Sequence, residues 1–351
     1  MVTYQGETMQ KLHITIADVA ERAQVSKMSV SRVLNGQSGV SEKTRQRILE
    51  VVEELGYVPN PALRVRSSTA QVIGLLIPDI TTTYMGEILR GVSGAAERLN
   101  YGLMLYTQGS VDHAQRTNYY LSLLNNFQVD GVLMVVPRDY EVIVQDLKER
   151  GIRYVIIDHH SNTGNEPSIT ATNRHGIVDA MRHLLALGHQ RVGFITGRMD
   201  IACSHDRLQG YRDALAEVGL PFDPELVREG DFSQPVGFRQ GWALLQLDHP
   251  PTAIIASNDL MAFGVMDAAK ASGMTIGRDL SIIGFDDIAM ASQVYPPLTT
   301  IRQPMASMGE AALEMLVTVL QGRTVLNPRR ELPTELIIRQ STGRVPQAQR
   351  P

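Results

Sequence analysis

The segment that most constrains this chain is TIADVAERAQVSKMSVSRVLN, residues 15–35, which has the pattern of two short helices joined by a tight turn. Thr15 and Asp18, three residues apart, match a capping box for the first helix. Ser26 stands where it can cap the second helix, and Gly36 follows that helix as a C-terminal stop. The apolar residues expected to pack the two helices together are Ile16, Val19, Ala20, Val30 and Leu34.

The second of these helices presents a polar, partly cationic outer face. Its outward side chains are predicted to be Lys27, Met28, Ser31, Arg32 and Asn35. Hydrogen-bond donors and cations on a second helix are what recognition of a DNA major groove requires. A solvated face on an ordinary helical hairpin remains the alternative, because helix-turn-helix patterns also occur in proteins that do not bind DNA.

The composition is typical of a globular protein with two or three domains. The chain has 351 residues, of which 43% are hydrophobic and 20% charged. Its single cysteine, Cys203, excludes an internal disulfide, suits a reducing cytoplasm, and has no basic partner in sequence, so we expect it to be inert. The first residues lack the apolar segment of a signal peptide, and no apolar run approaches the ~20 residues that span a bilayer. We therefore expect a cytoplasmic protein.

Charge is distributed unevenly along the chain. The net charge of −4 would by itself argue against a nucleic-acid partner. Residues 11–66, however, carry nine Lys and Arg against six Asp and Glu, a balance of +3 that leaves −7 for the rest. A modestly basic N-terminal segment on an acidic body is consistent with a DNA-reading module attached to a sensor, although +3 alone lies within chance.

A third helix and a proline-containing exit complete the N-terminal segment. Ser41 can cap SEKTRQRILEVVEELG, and Gly56 ends it. Pro59 and Pro61 stiffen the exit, and the basic stretch ALRVRSSTAQ that follows is too short for a stable helix in water but could fold on DNA. The apolar residues that recur at helical spacing in the third helix are Ile48, Val51, Val52 and Leu55.

From Val72 onward, apolar runs of strand length alternate with amphipathic helical stretches. Strands are predicted to begin near residues 72, 101, 131, 153, 191, 252 and 280, and helices to span 84–99, 113–127, 141–150, 174–187, 205–218, 236–247 and 260–272. Such alternation predicts buried parallel sheets in right-handed βαβ units. A run of about 270 residues exceeds one comfortable core, so we expect two sheets.

Eleven short segments occur along the chain in one recognisable order. They are TIADVAERAQVSKMSVSRVLNG, VSEKTRQRI, LGYVPN, IGLLIPDI, VDGVLM, LLALGHQRVGFITG, RLQGYRDAL, GDFS, ASNDLMAFG, LSIIGFDDI and PPLTTIRQP. Together they resemble the lactose/galactose repressor (LacI/GalR) family of bacterial transcription regulators. The resemblance extends from about Ile14 to Gly343.

The resemblance implies an all-α helix-turn-helix head and a hinge, followed by an α/β body of two subdomains like a periplasmic binding protein, with parallel sheets. The expected parts are a disordered tail at 1–10, the head at 11–57, the hinge at 58–72, the body at 73–343 and a tail at 344–351. Within the body, the first subdomain is expected at about 73–170 and 302–330 and the second at about 171–301 and 331–343. The helix Pro304–Gly322 would thus return to the first subdomain and the late strand in PTELIIRQST would lie in the second.

The DNA-binding residues implied by the resemblance lie mainly on the second helix. Arg32 can pair bidentately with guanine, Lys27 can donate to guanine, and Met28 can contact a thymine methyl group or a sugar. Thr15 belongs to the same DNA-binding set. Phosphate contacts suit Ser26, Ser31, Asn35 and Thr44, although Ser31 and Thr44 could equally be plain surface hydroxyls.

The hinge departs from the family pattern, in which a leucine wedges into the central minor-groove step. Counting forward from Asn60 puts Arg66 at that position, whereas counting back from Ile73 puts Val65 there, so the segment is one residue short. The nearby leucine is Leu63. Because an apolar side chain is needed to unstack the bases, we expect the wedge to be Leu63 or Val65.

The resemblance also implies a sugar pocket built at the carboxyl ends of strands, from carboxylates, amides and an aromatic ring. The residues that match are Asp158 after RYVII, Arg207 in RLQGY, Phe232 in GDFS, Asn258 in SND and Asp286 in GFDD, with Tyr84 as a further ring contact. The family often has an Asn-Pro-aromatic run after IPDI, where this chain has residues 81–84, TTTY. These threonines fit a polyol-like ligand or a helix cap, the latter favoured for Thr83.

We expect structural rather than ligand-binding roles for several neighbouring side chains. Asp287 is expected to be an outward acid bonded to backbone amides, and Arg207 could pair with Asp286 in an empty cleft. His159 and His160 lack a third ligand at useful spacing, so they are expected to be surface histidines and no metal site is predicted.

The sequence thus predicts a DNA-binding transcription regulator, in the first place a repressor, controlled by a carbohydrate-like effector. A regulator with a purine-like or sugar-acid co-repressor is the alternative, and a sugar-acting enzyme on the same body is a weaker one. The chain has no GxGxxG after a strand, no GxxxxGK[ST], no GxSxG and no HExxH. A sugar-binding protein for transport would need a signal peptide. The expected partners are pseudo-palindromic operator DNA and a small effector, with the chain acting as a homodimer, without a cofactor or a membrane.

Overall fold

The structure is a computed structural model that describes residues 16–34, 38–55, 57, 71–78, 80–107, 129–136, 140–159 and 166–345. The chain divides into two compact units, Met1–Ala70 and Gln71–Pro351, which are described separately. The predictions that lie outside the described residues concern Thr15, Asn35, Gly36, Leu63, Val65 and the helix at 113–127.

The described residues of the first unit form three short helices, α1 (Ile16–Arg22), α2 (Lys27–Leu34) and α3 (Glu42–Glu54). The Ser26 hydroxyl accepts from the amide of Ser29 at 3.1 Å, and the Ser41 hydroxyl accepts from the amide of Thr44 at 3.3 Å. Both bonds satisfy amides that a helix start leaves open, so the predicted caps at Ser26 and Ser41 are confirmed.

The three helices share one small apolar core. Val30 is fully buried as predicted, but Val33 rather than Leu34 is the second buried residue of α2, and Leu34 is half-buried. The difference arises because α2 packs against both α1 and α3, which widens its apolar face beyond one row of side chains. The buried residues of this core are Val19, Ala20, Ala23, Val30, Val33, Ile48, Val51 and Tyr57.

The second unit alternates strands and helices along most of its length. Its strands are β1 (Gln71–Ile77), β2 (Tyr101–Thr107), β3 (Gly131–Val135), β4 (Arg153–Ile157), β5 (Ser168–Ala171), β6 (Val192–Thr196), β7 (Val227–Glu229), β8 (Ala253–Ala256), β9 (Ser281–Asp286), β10 (Thr299–Arg302), β11 (Arg329–Leu332) and β12 (Glu335–Ile337). Its helices are α4 (Thr83–Leu99), α5 (Tyr140–Glu149), α6 (Asn173–Ala186), α7 (Ala202–Glu217), α8 (Gln234–Leu245), α9 (Asp259–Ala271) and α10 (Met305–Leu320). None of the helices in the described ranges is long and apolar enough to cross a membrane.

These strands form two six-stranded sheets. The first has the order β11-β5-β4-β3-β1-β2 and the second β12-β10-β9-β8-β6-β7. All of these strand pairings are parallel except that of β12 with β10, which is antiparallel. The predicted α/β fold class, a helical head with a body of two largely parallel sheets, is confirmed.

The chain passes between the two sheets three times. The first crossover joins β5 to α6, the second joins β10 to α10, and the third joins β11 to β12. Helix α10 returns to the first sheet, where it packs on α4 and β4, and β12 pairs in the second sheet. At the C-terminal end the amide of Val345 donates to the Leu187 carbonyl at 3.1 Å, so the chain is anchored to the second sheet's helices at this point.

The strands that the sequence did not reveal are short or polar. They are β5, β7, β10 and β11, each of three or four residues. β7 and β11 are edge strands with sequences VRE and RREL, which expose polar side chains and so carry no apolar run. Their pairing is decided by the sheet beside them rather than by local propensity.

Helices α4 and α10 approach each other closely on the first sheet because glycines stand at their crossing. A Cβ atom at Gly91 would overlap the backbone carbonyl of Ala306, whereas a Cβ atom at Gly94, one turn later on α4, would meet nothing within 4 Å. The close approach of the two helices therefore requires that residue 91 has no Cβ atom, whereas a Cβ atom at residue 94 would not affect it.

We predict opposite effects for alanine at these two positions of α4. Gly91→Ala should destabilise the body by roughly 1–3 kcal/mol, because the helices must move apart. Gly94→Ala should be neutral or stabilise by about 0.5–1 kcal/mol through helix propensity alone. Urea unfolding of the two variants measures both effects, and equal free energies of unfolding for the two would contradict this description of the crossing.

Candidate functional site

The predicted effector residues gather where the carboxyl ends of strands from the two sheets meet. Such ends are where open α/β sheets place ligands, next to the point at which the winding direction reverses. That reversal lies between β1 and β3 in the first sheet and between β6 and β8 in the second. The residues supplied by elements at these ends are Tyr84, Asp158, Arg207, Phe232, Asn258 and Asp286.

On the side of the first sheet, a tyrosine and a carboxylate bind each other. The Tyr84 hydroxyl donates to Asp158 Oδ2 at 2.9 Å, and the Thr170 hydroxyl donates to Asp158 Oδ1 at 3.4 Å. Asp158 is 3% exposed. Burial, followed by the negative charge of Asp158, raises the pKa of Tyr84 well above its ordinary value, so the phenol remains a proton donor.

On the side of the second sheet, Arg207 is a fully buried cation. Its Nε donates to Asn173 Oδ1 at 2.8 Å, its Nη1 donates to the Ser257 carbonyl, and its guanidinium carbon lies 3.8 Å from the centre of the Phe285 ring. The side-chain Nδ2 of Asn173 in turn donates to Thr170 Oγ1 at 3.4 Å. One chain of hydrogen bonds therefore runs from Tyr84 on the first sheet, through the first crossover, to the end of β8.

The predicted ion pair between Arg207 and Asp286 is wrong. None of the ion pairs among the described residues joins these two side chains, since Arg207 is occupied by the groups named above. Asp286 instead accepts from Nε2 of Gln303 at 2.7 Å. Arg207 is still close enough to act on Asp286 electrostatically.

Asp286 is a buried acid with an unusual charge state. Burial is the largest influence and raises its pKa to about 7; Asp158 adds to the rise, while Arg207 and the Gln303 hydrogen bond oppose it. Its backbone φ is 120°, which a residue with a side chain rarely adopts. The group is thus partly protonated at neutral pH and held in a strained turn.

The neighbouring acid Asp287 was expected to bind backbone amides, and this expectation is wrong. Its carboxylate accepts from Arg302 Nε at 2.7 Å and from Arg339 Nη2 at 2.6 Å. Its side chain is 7% exposed, so it is an inward ion-paired group rather than an outward one. Asp287 thereby ties the end of β9 to the end of β10.

Asn258 and Phe232 shape the wall of the site. Asn258 Oδ1 accepts from the amide of Met261 at 2.9 Å and so caps α9, while Nδ2 donates to the Phe232 carbonyl at 3.0 Å. Phe232 has a φ of 68°, and its ring lies so close to Gly197 that a Cβ atom there would overlap it. These bonds fix the ring position that the aromatic contact to a ligand would need.

Three residues of the site escaped the sequence prediction. Asp259 is fully buried and accepts from the Ile288 amide at 2.9 Å and the Thr300 hydroxyl at 2.5 Å. The only available signal was its position directly after Asn258. Asn173 and Gln303 gave no signal, because each acts through partners far away in sequence.

The threonines after β1 required a correction of one position. Thr82, not Thr83, caps α4, since its hydroxyl accepts from the Met85 amide at 3.3 Å and Thr83 is the first helical residue. A helix N-cap residue has an extended backbone and stands just before the first helical residue, so its side chain can accept from the amide three residues later. Thr82 meets both conditions.

The histidines and the cysteine give no metal or nucleophilic site among the described residues. His159 is half-buried rather than at the surface, and His160 lies outside the described residues. The part of the chain that the structure describes contains no group of three potential metal ligands. Cys203 is 4% exposed, and burial raises the pKa of its thiol, so it is not a thiolate.

The cleft residues are closed over one another. Arg207 is 2% exposed and Asp286 is 7% exposed. A depression of about 530 Å³ lies instead beside β7 and α8, and its lining residues are Arg198, Asp200, Glu229, Gly230, Asp231, Val236, Arg239 and Gln240. None of the predicted effector residues lines this depression.

The predicted DNA-reading face lies on α2 of the first unit. Lys27, Met28 and Arg32 are exposed on this helix, with Met28 65% exposed, whereas Ser31 is half-buried. The hydroxyl of Ser26 is engaged as a helix cap, and that of Thr44 lies 2.8 Å from the Ser41 hydroxyl. The exposed side chains of α2 are therefore Lys27, Met28 and Arg32, the three that the sequence analysis assigned to base contact.

The fold and these two sites define a class of protein: a helix-turn-helix DNA-binding head joined to a two-sheet ligand-binding body. Comparison with known families agrees with both parts. Residues 15–60 match the bacterial regulatory proteins of the lacI family, and residues 181–342 match the periplasmic binding protein-like domain.

Individual relatives extend these matches over nearly the whole chain. Catabolite control protein A of Priestia megaterium is 34% identical over 336 residues, covering 94% of this chain and 100% of that protein. The chain belongs to the lacI family of bacterial transcription regulators. Members of this family are transcription regulators rather than enzymes.

Two solved structures are similar over the same extent. The transcriptional regulator CelR–cellobiose complex has a TM-score of 0.73 with 30% identity and covers 93% of this chain and 99% of that one. The lac repressor dimer bound to operator and the anti-inducer ONPF has a TM-score of 0.72 with 30% identity, covering 94% and 99%.

The charge state of Asp286 leads to a prediction for stability. A carboxyl whose pKa is about 7 when folded and 3.8 when unfolded contributes its full stability below pH 4 and loses it as the pH rises to 7. Asp286→Asn, which cannot ionise, should therefore be more stable than the wild type by on the order of 4 kcal/mol at pH 8 and by roughly half of that or less at pH 5. Urea unfolding at both pH values measures this, and a pH-independent difference would show that Asp286 does not titrate as described.

Proposed function

We propose that this protein is an operator-binding transcription repressor whose affinity for DNA is set by a neutral, hydroxyl-rich effector bound between the two sheets. The observation that carries the proposal is the continuous set of buried polar groups from Tyr84 through Asp158, Asn173 and Arg207, which joins the two sheets at the cleft. A ligand that replaces these bonds acts on both sheets at once.

The chemistry of the cleft favours a neutral ligand over an acidic one. Asp158 and Asp286 offer carboxylate oxygens, while Arg207 is the single cation among the cleft residues named above and is already bound to Asn173 and Ser257. Sugar hydroxyls can donate to these acceptors, whereas an additional carboxylate would face two acids. The Phe232 ring offers an apolar face for a sugar ring. Cellobiose in the CelR complex is a ligand of this kind.

A purine-like or sugar-acid co-repressor is the second candidate for the effector. Its support is the raised pKa of Asp286, which burial causes, since a neutral carboxyl can donate a hydrogen bond to a ring nitrogen or a carboxylate. A thermal-shift screen of neutral sugars, sugar acids and nucleobases separates the two candidates. A stabilising sugar acid or purine, with no response to any neutral sugar, would favour the second.

On the DNA side, we propose that Lys27, Met28 and Arg32 read base edges while Ser26, Ser31, Asn35 and Thr44 meet the phosphate backbone. Thr15 belongs to the same DNA-binding set. The chain would act as a homodimer on a pseudo-palindromic operator, in keeping with the lac repressor, which is a dimer in its complex with operator. Either Leu63 or Val65 would supply the minor-groove wedge. An enzymatic role is not proposed, and turnover of any sugar by the purified protein would argue for one.

The DNA-reading proposal predicts a specific effect at Arg32. Arg32→Ala should lower the affinity for an operator selected from random duplex DNA by about 1–3 kcal/mol and relax the preference over a scrambled duplex. The matched control is Arg22→Ala, because the Arg22 guanidinium is held by Glu54 of α3. Fluorescence anisotropy with both duplexes measures the ratio, and an unchanged ratio for Arg32→Ala would mean that α2 does not read the bases.

The effector proposal predicts a specific effect at Asp158. Asp158→Asn keeps the shape of the side chain but loses the charge that strengthens a hydrogen bond, so affinity for the sugar found in the screen should fall by about 1.5–3 kcal/mol. Asp213→Asn, at an acid on the surface of α7, should leave it unchanged. Isothermal titration calorimetry measures both affinities. If the two variants lose the same amount of effector affinity, or if neither loses any, the ligand does not bind at Asp158.

A further inference from the structure

The second crossover carries a buried amide that is bound to a cleft acid. Gln303 stands between β10 and α10, where the chain passes from the second sheet to the first, and is 3% exposed. Its Nε2 donates to Asp286 Oδ1 at 2.7 Å, and its backbone amide donates to the Asp286 carbonyl at 3.3 Å. The backbone carbonyl of Gln303 accepts from the backbone amide of Met305, the first residue of α10, at 2.9 Å.

The turn at the end of β9 depends on this crossover. Asp286 and Asp287 have φ values of 120° and 57°, and such backbone persists only where surrounding contacts hold it. Gln303 holds Asp286 through two bonds, and Arg302, the residue before it, holds Asp287 through an ion pair. Two consecutive residues, the last of β10 and the first of the crossover, are therefore paired with two consecutive acids, one of which faces the cleft.

The third crossover makes a different set of bonds. The Thr334 amide donates to Thr172 Oγ1 at 2.9 Å, and the two hydroxyls also lie 2.9 Å apart. These bonds join the third crossover to the first and reach neither Asp158 nor Asp286. Thr334 is therefore a natural control: it supports the crossovers without bonding to a cleft acid.

One polar atom of the Gln303 side chain is not hydrogen-bonded within the described part of the chain. This atom is Oε1, which is buried. A proton on Asp286 Oδ1 turns that oxygen into a donor, so Nε2 loses its acceptor. Rotation of the amide would let Oε1 accept this proton, but it would move Nε2 to the buried position where Oε1 makes no hydrogen bond among the described residues. A ligand hydroxyl that donates to Oδ1 competes with Nε2 for the same oxygen. A buried polar group in that condition is costly, so the side chain and the backbone that carries it must move.

We propose that Gln303 is a positioning residue that transmits the state of the Asp286 carboxyl, whether ionised, protonated or bound by effector, to the second crossover. The inference deepens the proposed function, on which its effector-related part rests. In this proposal, one hydrogen bond, from Gln303 Nε2 to Asp286 Oδ1, couples ligand binding to the relative orientation of the two sheets.

The proton can serve as the probe, so the test does not require the effector to be known. Burial raises the pKa of Asp286 to about 7. The charged or titratable groups that interact with it electrostatically are Arg207 and Cys203 on α7, Asp158 after β4, Asp259 on α9 and Tyr84 on α4. Burial raises the pKa of the Cys203 thiol, so it stays protonated through neutral pH. Burial and the charge of Asp286 raise the pKa of Asp259, and the Tyr84 pKa is raised well above 10, so Tyr84 keeps its proton through neutral pH.

The reporter is the methyl group of Met305, which is buried and directly follows the crossover. The full chain is labelled with methyl-¹³C methionine, the Met305 resonance is assigned with Met305→Leu, and its shift is followed from pH 5 to 9. In the wild type we expect a titration with a midpoint near 7. In Asp286→Asn the titration should vanish, and in Gln303→Leu it should fall to less than about a third of its wild-type amplitude, since the connection is cut.

The matched control is Thr334→Val, which should loosen the crossovers but leave the Met305 titration in place. Gln303→Met, of similar volume and greater flexibility, replaces Gln303→Leu if the latter does not fold. A Met305 resonance that does not titrate in the wild type overturns the inference. So does one that titrates equally in the Gln303 variant, or one that still titrates in Asp286→Asn.

An effector found by the thermal-shift screen supplies a second arm. Operator affinity of Gln303→Leu is then measured without effector and at an effector concentration that saturates this variant. The effector's influence on operator affinity should fall from the 5- to 150-fold typical of coupled sites to less than about twofold. Undiminished coupling overturns the inference and leaves the proposed function intact. A wild-type protein that binds no ligand contradicts the proposed function, while the pH experiment still decides the role of Gln303.

Discussion

The body of this protein is organised around a guanidinium that has been removed from water. A buried charge without partners costs several kcal/mol, so Arg207 must be fully supplied with acceptors and an aromatic face. Its partners come from three different elements: Asn173 at the start of α6, the Ser257 carbonyl after β8 and the Phe285 ring on β9. The positions of these elements relative to one another are thereby constrained by a single side chain.

The acids of the cleft follow from that arrangement. Arg207 stabilises negative charge nearby, but Asp158 and Asp286 together exceed what one cation can balance in a buried site. The excess negative charge is met partly by donors, the Tyr84 hydroxyl at Asp158 and the Gln303 amide at Asp286. Together with burial, which is the larger cause, the charge of Asp158 also raises the pKa of Asp286. A site rich in acceptors and poor in free cations is suited to a ligand that donates several hydrogen bonds without bringing a negative charge.

The parts predictable from sequence were those decided by local pattern. Long apolar strands such as β1 and β9, the caps at Ser26 and Ser41 and the exposed face of α2 all depend on residues within one or two turns of each other. The resemblance supplied the individual cleft residues. Their pairing could not be read in the same way, because Arg207 reaches Asn173, 34 positions away, and Gln303 reaches Asp286 across β10.

The errors have the same origin. Pairing Arg207 with Asp286 assumed that opposite charges in one cleft must meet, whereas burial allowed Arg207 to be satisfied by an amide oxygen, a carbonyl and a ring. Asp287 was assigned to backbone amides because nothing local shows that Arg302 and Arg339 lie beside it. Short polar strands such as β11 form only because a sheet edge is available to pair with them.

Effector binding in the cleft and operator binding by the head are expected to change each other's affinity. Thermodynamic linkage requires such influence to be equal in both directions, which makes a closed cycle the most direct measurement. Operator affinity is measured by anisotropy with and without saturating effector, and effector affinity by calorimetry with and without operator. We expect both affinities to change by the same factor, at least about fivefold. Tight binding of each ligand with no effect on the other would contradict the account.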